Sequence, residues 1–166
     1  MKPEVRLGDP GDVDGAARVW ARATAKRDGE VKIAPLEAAR AVLLESLRKK
    51  RSTLVVAAHN GVVIGFATAQ PVACSRVAEV RFVGVDPDYW GHGVGGVVMA
   101  RLADELAAAG FRSAQLLVYA DNVSARRLYE RMGWAWDQQN PSLHQRTGKP
   151  EVRYHRRLAG RPAPTD

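Results

Sequence analysis

The chain has 166 residues, of which 46% are hydrophobic and 26% charged, and its formal net charge is +7. This length suits a single domain with one substantial core, and the composition is typical of ordinary soluble globular proteins. No apolar run approaches the roughly 20 residues that a membrane span needs, and no apolar signal core follows residues 1–5. We therefore expect a cytoplasmic protein that does not interact with membranes.

The cysteine and histidine content argues against a metal site. Cys74 is the only cysteine, which excludes an internal disulfide and a thiolate zinc cluster. His144 and His155 have no metal-ligand spacing with any partner. We expect no metal, and we expect Cys74 to be a small buried hydrophobic residue rather than a reactive thiol.

The basic charge raises the question of nucleic-acid binding. The densest clusters of cations lie in residues 48–51 and 153–161, each near the expected end of a helix or strand. Cations suit the helix dipole there or simply face water, and no nucleic-acid-binding motif accompanies them. The sequence therefore predicts a solvated basic surface and no nucleic-acid partner.

Periodicity and turn residues predict a mixed α/β domain over residues 1–159, followed by a disordered tail at 160–166. An Asn60-Gly61 pair between two apolar runs indicates a β-hairpin, and Gly110 and Gly133 each end a helix. The predicted strands are 5–7, 53–58, 62–69, 77–85, 114–119, 134–137 and 152–158, and the predicted helices are 12–25, one after Pro35, 93–109 and 122–132. A polar loop is expected at 138–150.

A glycine-rich turn follows the strand that ends at Val85 and Pro87, and an apolar helix follows the turn. Glycines allow backbone N–H groups to point toward one place, and the helix N-terminus adds partial positive charge. Together these features predict a binding site for a phosphate or pyrophosphate.

A second motif lies one strand further along the chain, at 122–134, with the pattern Asn-x-x-Ala-x-x-Leu-Tyr-Glu-x-x-Gly-Trp. With both motifs in this order, the sequence resembles the GCN5-related N-acetyltransferase (GNAT) superfamily. The resemblance implies an α/β fold with a central, mostly antiparallel sheet, a splayed parallel pair of strands and flanking helices. A Rossmann interpretation of the glycines fails because the turn follows a late strand among antiparallel signals.

The resemblance implies acetyl-CoA as a co-substrate. Its pyrophosphate would bind the backbone amides of Gly91, His92, Gly93, Val94, Gly95 and Gly96. Val83 and Val85 would offer backbone hydrogen bonds to pantetheine, although both valines also suit a plain core. Trp90 stands where the family usually has Gln or Arg, which predicts weaker or reshaped cofactor binding.

Two residues of the second motif are candidate site residues. Tyr129 corresponds to the family's tyrosine at the thioester sulfur, where it would donate a proton or a hydrogen bond to the departing thiolate. The alternative interpretation is that Tyr129 is a half-buried structural aromatic whose hydroxyl already has a hydrogen-bond partner. Asn122 is either a cofactor contact or the helix cap.

Glu79 resembles the glutamate that serves as the base in histone acetyltransferases. Strand alternation predicts that it shares a face with Val83 and Val85, whereas an ion pair with Arg81 is its structural alternative. Ribosomal-protein N-terminal acetyltransferases carry a glutamate where this chain has Leu117, which weakens that substrate assignment.

The sequence therefore predicts an acetyl-CoA-dependent N-acetyltransferase acting on a small-molecule or peptide amine by direct attack in a ternary complex, with a possible homodimer. A catalytically weak acyl-CoA-binding or sensing module is the alternative. The acceptor side is expected in the first two helices, the 27–35 loop and residues 134–158. An acidic and aromatic pocket for a cationic amine is one interpretation there, and an aromatic core with solvated acids is the other; the residues concerned are Glu30, Glu37, Trp134, Trp136 and Asp137.

Overall fold

The computed structural model describes residues 1–159, so the expected tail at 160–166 lies outside the described residues. The strands are β1 (Glu4–Leu7), β2 (Thr53–His59), β3 (Val62–Pro71), β4 (Val77–Val85), β5 (Ser113–Tyr119), β6 (Ala135–Leu143) and β7 (Pro150–Arg157). The α-helices are α1 (Val13–Asp28), α2 (Leu36–Ser46), α3 (Val94–Ala108) and α4 (Val123–Arg131). Within residues 1–159, no helix is both long and apolar enough to cross a bilayer.

All seven strands form one sheet in the order β1-β2-β3-β4-β5-β7-β6. Every neighbouring pair is antiparallel except β4 and β5. These two parallel strands pair only from Val77 opposite Ser113 to Val80 opposite Leu116, and beyond that point they separate. The predicted fold class, including the splayed parallel pair, is confirmed.

The helices cover the two faces of the sheet and create two cores. Helices α1 and α2 pack on one face, around Leu43 and Phe66. Helices α3 and α4 share the other face, where Leu102 and Tyr129 belong to one cluster. We call these the α1 face and the α3 face.

A one-residue bulge in β4 changes which face its side chains meet. Phe82 pairs with Thr68 and Val80 pairs with Ala69, so Arg81 has no partner on β3. Val80 packs in the α3-face core, which places its neighbour Glu79 on the α1 face. Val83 and Val85 pack on the α3 face after the bulge. The prediction that Glu79 shares their face was wrong, because the extra residue inverts the alternation.

The Asn60-Gly61 hairpin is present, with both residues at positive φ (50° and 75°), as a two-residue turn of this kind requires. Cys74, in contrast, is exposed, in a tight turn between β3 and β4, so the expectation of a buried residue was wrong. The burial expectation failed because this turn lies outside both cores.

The final strands are longer than the sequence indicates. β6 continues to Leu143, so only part of the expected 138–150 loop is a loop. An irregularity between Asp137 and Ser142 separates two paired segments of this edge strand. Its polar composition gives no alternating pattern, since β6 pairs with β7 on one side and is mostly exposed.

Candidate active site

A cleft of about 1000 Å³ lies where β4 and β5 separate. One wall comes from the glycine turn, the start of α3 and one side of α4. The other comes from the second half of α1, the end of β5 and the β6–β7 connection. Because these walls belong to opposite faces of the sheet, two reactants can approach the gap from different sides.

The glycine turn provides a cradle for an anion. Gly91 and Gly93 have φ values of 80° and 78°, and a Cβ at either position would meet nothing within 4 Å. Gly93 is the N-cap of α3, and no side chain caps this end of the helix. The first N–H groups of α3 therefore keep their hydrogen-bonding capacity beside an open cleft, an arrangement that fits a pyrophosphate.

The second half of β4 offers its backbone to the same gap. The N–H of Asp86 bonds to the carbonyl oxygen of Ile64 on β3, at 2.8 Å. Since alternate residues of an antiparallel strand bond to the same neighbour, the N–H and C=O groups of Val83 and Val85 point away from β3. They face the space that β5 has left, which suits the amide groups of a pantetheine arm.

Trp90 is attached to this backbone edge. Its indole nitrogen donates a hydrogen bond to the carbonyl oxygen of Val85 at 2.7 Å, while 44% of the residue stays exposed. Trp90 therefore joins the glycine turn to the end of β4 and uses one acceptor position of Val85.

Helix α4 positions Asn122 and Tyr129 along the cleft. The side-chain oxygen of Asn122 accepts a hydrogen bond from the N–H of Ala125 at 3.2 Å, so the helix-cap interpretation is correct. Tyr129 is 7% exposed, and its ring packs beside those of Trp134 and Tyr154, with centroids 6.2 and 6.0 Å away. These rings restrict where the Tyr129 hydroxyl can point.

The Tyr129 hydroxyl makes no hydrogen bond to any residue in the described part of the chain, although Tyr129 lines the cleft. Burial raises the pKa of Tyr129 to about 12, and the positive charge of Arg27 opposes that rise. The phenol therefore keeps its proton throughout the physiological range and offers an unused donor to whatever enters the gap.

Glu79 is paired rather than free. Its carboxylate lies 2.9 Å from the Arg81 guanidinium and 3.4 Å from the Gln115 side-chain amide. Val80 and Arg81 line the cleft, whereas Glu79, the residue before them in β4, does not. The ion pair considered from the sequence is therefore present.

The structure brings most of the expected site residues together. The cleft is lined by Val83, Val85, Gly91, Gly93, Val94, Gly95, Gly96, Asn122 and Tyr129. His92 is exposed, and its ring Nδ1 lies 3.0 Å from the Trp90 carbonyl oxygen. Glu79 and His92 are the two expected site residues that do not line it.

Sequence reasoning missed several residues of the α1-face wall. Arg27 of α1 lies over the Tyr119 ring of β5 at 5.1 Å, and His144 stacks edge-on against the same ring at 5.3 Å. Arg146 and Glu151 complete this wall. Only the broad regions were foreseen, because Arg27 precedes the other residues by about 90 to 125 positions and the set follows no local motif.

The expected acidic and aromatic acceptor pocket is not formed. Trp134 is 5% exposed and belongs to the α3-face core, while Trp136 packs under Arg126. Asp137 bonds to Asn140 and His155 outside the cleft. Glu30 and Glu37 are exposed outside the cleft, so the core interpretation is correct for Trp134 and the solvated-acid interpretation for Glu30 and Glu37. The core interpretation is wrong for Trp136, which is 44% exposed, and the solvated-acid interpretation is wrong for Asp137, which is held by hydrogen bonds.

Comparison with known proteins identifies the family. The sequence profile described as the acetyltransferase (GNAT) family matches residues 18–134. The chain belongs to this family, as its two motifs indicated.

Curated relatives share only part of their length with this chain. A mycothiol acetyltransferase from Brachybacterium faecium is 38% identical over 84 residues, which are 49% of this chain and 25% of that protein. The ribosomal protein bS18-alanine N-acetyltransferase of Escherichia coli is 37% identical over 76 residues, or 46% of this chain and 50% of that protein. The chain thus matches a quarter to a half of the length of these relatives.

Solved structures share the whole fold. A putative acetyltransferase from Salmonella typhimurium, solved with its cofactor acetyl-CoA, has a TM-score of 0.76 and 20% sequence identity, covering 99% of both chains. At this identity the likeness concerns the fold.

Proposed function

We propose that this protein is an N-acetyltransferase that moves the acetyl group of acetyl-CoA to a primary amine by direct attack in a ternary complex. The observation that carries the proposal is the Tyr129 hydroxyl, a donor with no hydrogen-bond partner among residues 1–159, whose largely buried side chain lines the same cleft as the uncapped N-terminus of α3. Transfer of an acyl group from a thioester that carries phosphates requires an anion-binding site and a hydrogen-bond donor in the same cleft.

The α3 face is the proposed cofactor side. The amides of residues 91–96 would hold the pyrophosphate, with His92 contributing its backbone, and Asn122 lies further along the same wall. Val83 and Val85 would hold the pantetheine amides through the backbone groups that face the gap. Bound acetyl-CoA would supply the acyl carbon that the amine attacks.

Tyr129 would donate a hydrogen bond from its phenol oxygen to the departing sulfur. A phenol with a pKa of about 12 is a much weaker acid than a thiol, which titrates near 8.5. Full proton transfer from Tyr129 is therefore uphill, and stabilisation of the developing thiolate by a hydrogen bond is the more effective contribution.

Glu79 would accept the amine proton through a water molecule. Supporting this role, the β4 bulge places it on the α1 face, opposite the proposed cofactor side, and its side chain remains 26% exposed. Of the two backbone N–H groups that face the gap, those of Val83 and Val85, one would bind pantetheine and the other would polarise the acyl oxygen.

An acyl-CoA-binding module with little activity is a second candidate, favoured by the pairing of Glu79 with Arg81. Calorimetry with acetyl-CoA and an assay of thiol release separate the two functions. Binding with amine-dependent release supports the transferase, while binding without release from any amine supports the module.

A further inference from the structure

The charged groups of the α1-face wall form an unusual set. The wall carries the cations Lys26, Arg27, Arg81 and Arg146 and one carboxylate, Glu151. Two of the cations have acidic partners, since Arg27 pairs with Asp28 and Arg81 pairs with Glu79. Lys26 and Arg146 form no salt bridge within residues 1–159.

Glu151 differs from the other acidic residues near the cleft. It is half-buried and makes no salt bridge in the described part of the chain. It pairs with Tyr119 across β5 and β7. Its neighbour Val152 packs in the α3-face core, so the Glu151 side chain belongs to the α1 face.

These cations stand apart from the phosphate cradle. Lys26 and Arg27 belong to the last turns of α1, and Arg146 belongs to the β6–β7 connection. The glycine turn and α4 are on the α3 face, so the two sets lie on opposite walls of the cleft. Arg27 lines the same cleft as Tyr129, and its positive charge opposes the rise in the pKa of that phenol.

We infer that the acceptor is an amine that also carries a carboxylate or another anionic group, with its nitrogen at the reaction centre and its anionic end toward Lys26 and Arg146. This inference rests on the proposed function of the cleft. The second ammonium of a polyamine would meet two cations without acidic partners in residues 1–159, whereas a carboxylate on the acceptor would be attracted to both.

Matched acceptors test the inference directly. We would compare leucine with leucinamide and β-alanine with ethylamine, by thiol release and by calorimetric titration into protein saturated with CoA. The amine of an amino-acid amide is less basic than that of the acid, so amine protonation cannot create a preference for leucine. We expect the carboxylate-bearing member of each pair to show about tenfold higher kcat/KM and tighter binding.

Matched variants identify the residues responsible. The double variant Lys26→Gln with Arg146→Gln should raise KM for the carboxylate-bearing acceptor about tenfold, leave kcat nearly unchanged and abolish the preference. The control variant Lys50→Gln with Arg48→Gln removes two exposed cations outside the cleft. It should change neither KM for the carboxylate-bearing acceptor nor the preference for it.

Equal use of both members, or a preference for amides or polyamines, would overturn the inference. If no amine raises thiol release while leucine still binds more tightly than leucinamide, the transfer function fails but the charge-based recognition stands. If neither binds, the recognition fails as well. CoA affinity should be the same in all these variants, because the phosphate cradle is untouched.

Discussion

The Trp90 indole nitrogen donates a hydrogen bond to the Val85 carbonyl oxygen, 2.7 Å away, at the edge of β4 that faces the cleft. The family resemblance led us to expect Gln or Arg at this position, whereas the Trp90 side chain makes its hydrogen bond within the protein. The bond ties the glycine turn to β4 and holds the anion cradle in place before any ligand binds.

Replacement of Trp90 by Phe should weaken CoA binding about fivefold, because one net hydrogen bond contributes about 1 kcal/mol and its loss loosens the turn. Calorimetric titration with CoA measures the change. A tighter complex in Trp90→Phe would mean instead that the indole competes with pantetheine for the Val85 carbonyl.

A negatively charged side chain in the glycine turn should weaken the binding of CoA. Gly93→Asp should weaken CoA binding by about tenfold or more, since a carboxylate would face the pyrophosphate. Gly93→Asn carries the same left-handed backbone cost, roughly 1–2 kcal/mol, without the charge. Gly110→Asp places the charge at another positive-φ glycine, past the far end of α3, and should leave CoA affinity unchanged.

Glu79 and Arg81 can be separated by paired substitutions. If Glu79 accepts the amine proton, Glu79→Gln should lower kcat about 10²-fold, while Arg81→Gln should keep most of the activity. Rates at saturating acceptor and acetyl-CoA provide the measurement. Equal small losses in both variants would assign the pair a structural role only.

The pH dependence should show no falling limb from Tyr129 below about pH 11. Burial raises the pKa of this acid to about 12, so its neutral, donating form persists well above the ordinary value of 10. The rate should therefore rise with pH as the amine loses its proton and then level off. A fall near pH 10 that disappears in Tyr129→Phe would show that the phenol titrates normally.

Much of the fold follows from local signals in the sequence. Asn60-Gly61 specified a hairpin, and Asn122 and Gly133 marked the two ends of α4. The separation of β4 and β5 was implied by the family resemblance rather than by any residue pattern. The bulge at Arg81 could not be predicted from the sequence, because one unpaired residue changes neither the composition nor the apolar content of the strand.

The candidate site was predictable on one face only. The phosphate cradle and Tyr129 lie in two contiguous motifs, so their spacing could be read from the sequence. The opposite wall combines Arg27, Tyr119 and Glu151, which come together because the last turn of α1 reaches Tyr119 at the end of β5, and Tyr119 pairs with Glu151 of β7. Such a charge pattern depends on tertiary contacts, which explains why an acidic pocket was expected and a basic wall was found.

If Tyr129 assists transfer from acetyl-CoA to an amine, amine-dependent thiol release should fall when Tyr129 is replaced by Phe. The Phe ring preserves the packing against Trp134 and Tyr154, and no hydrogen bond of the hydroxyl to the described residues is lost. We predict a decrease in kcat of about 10²-fold with unchanged CoA affinity and thermal stability. Tyr154→Phe is the control, since its hydroxyl bonds to Glu130 and Arg126 instead, and it should reduce stability more than rate. Undiminished amine-dependent release in Tyr129→Phe would contradict the assignment.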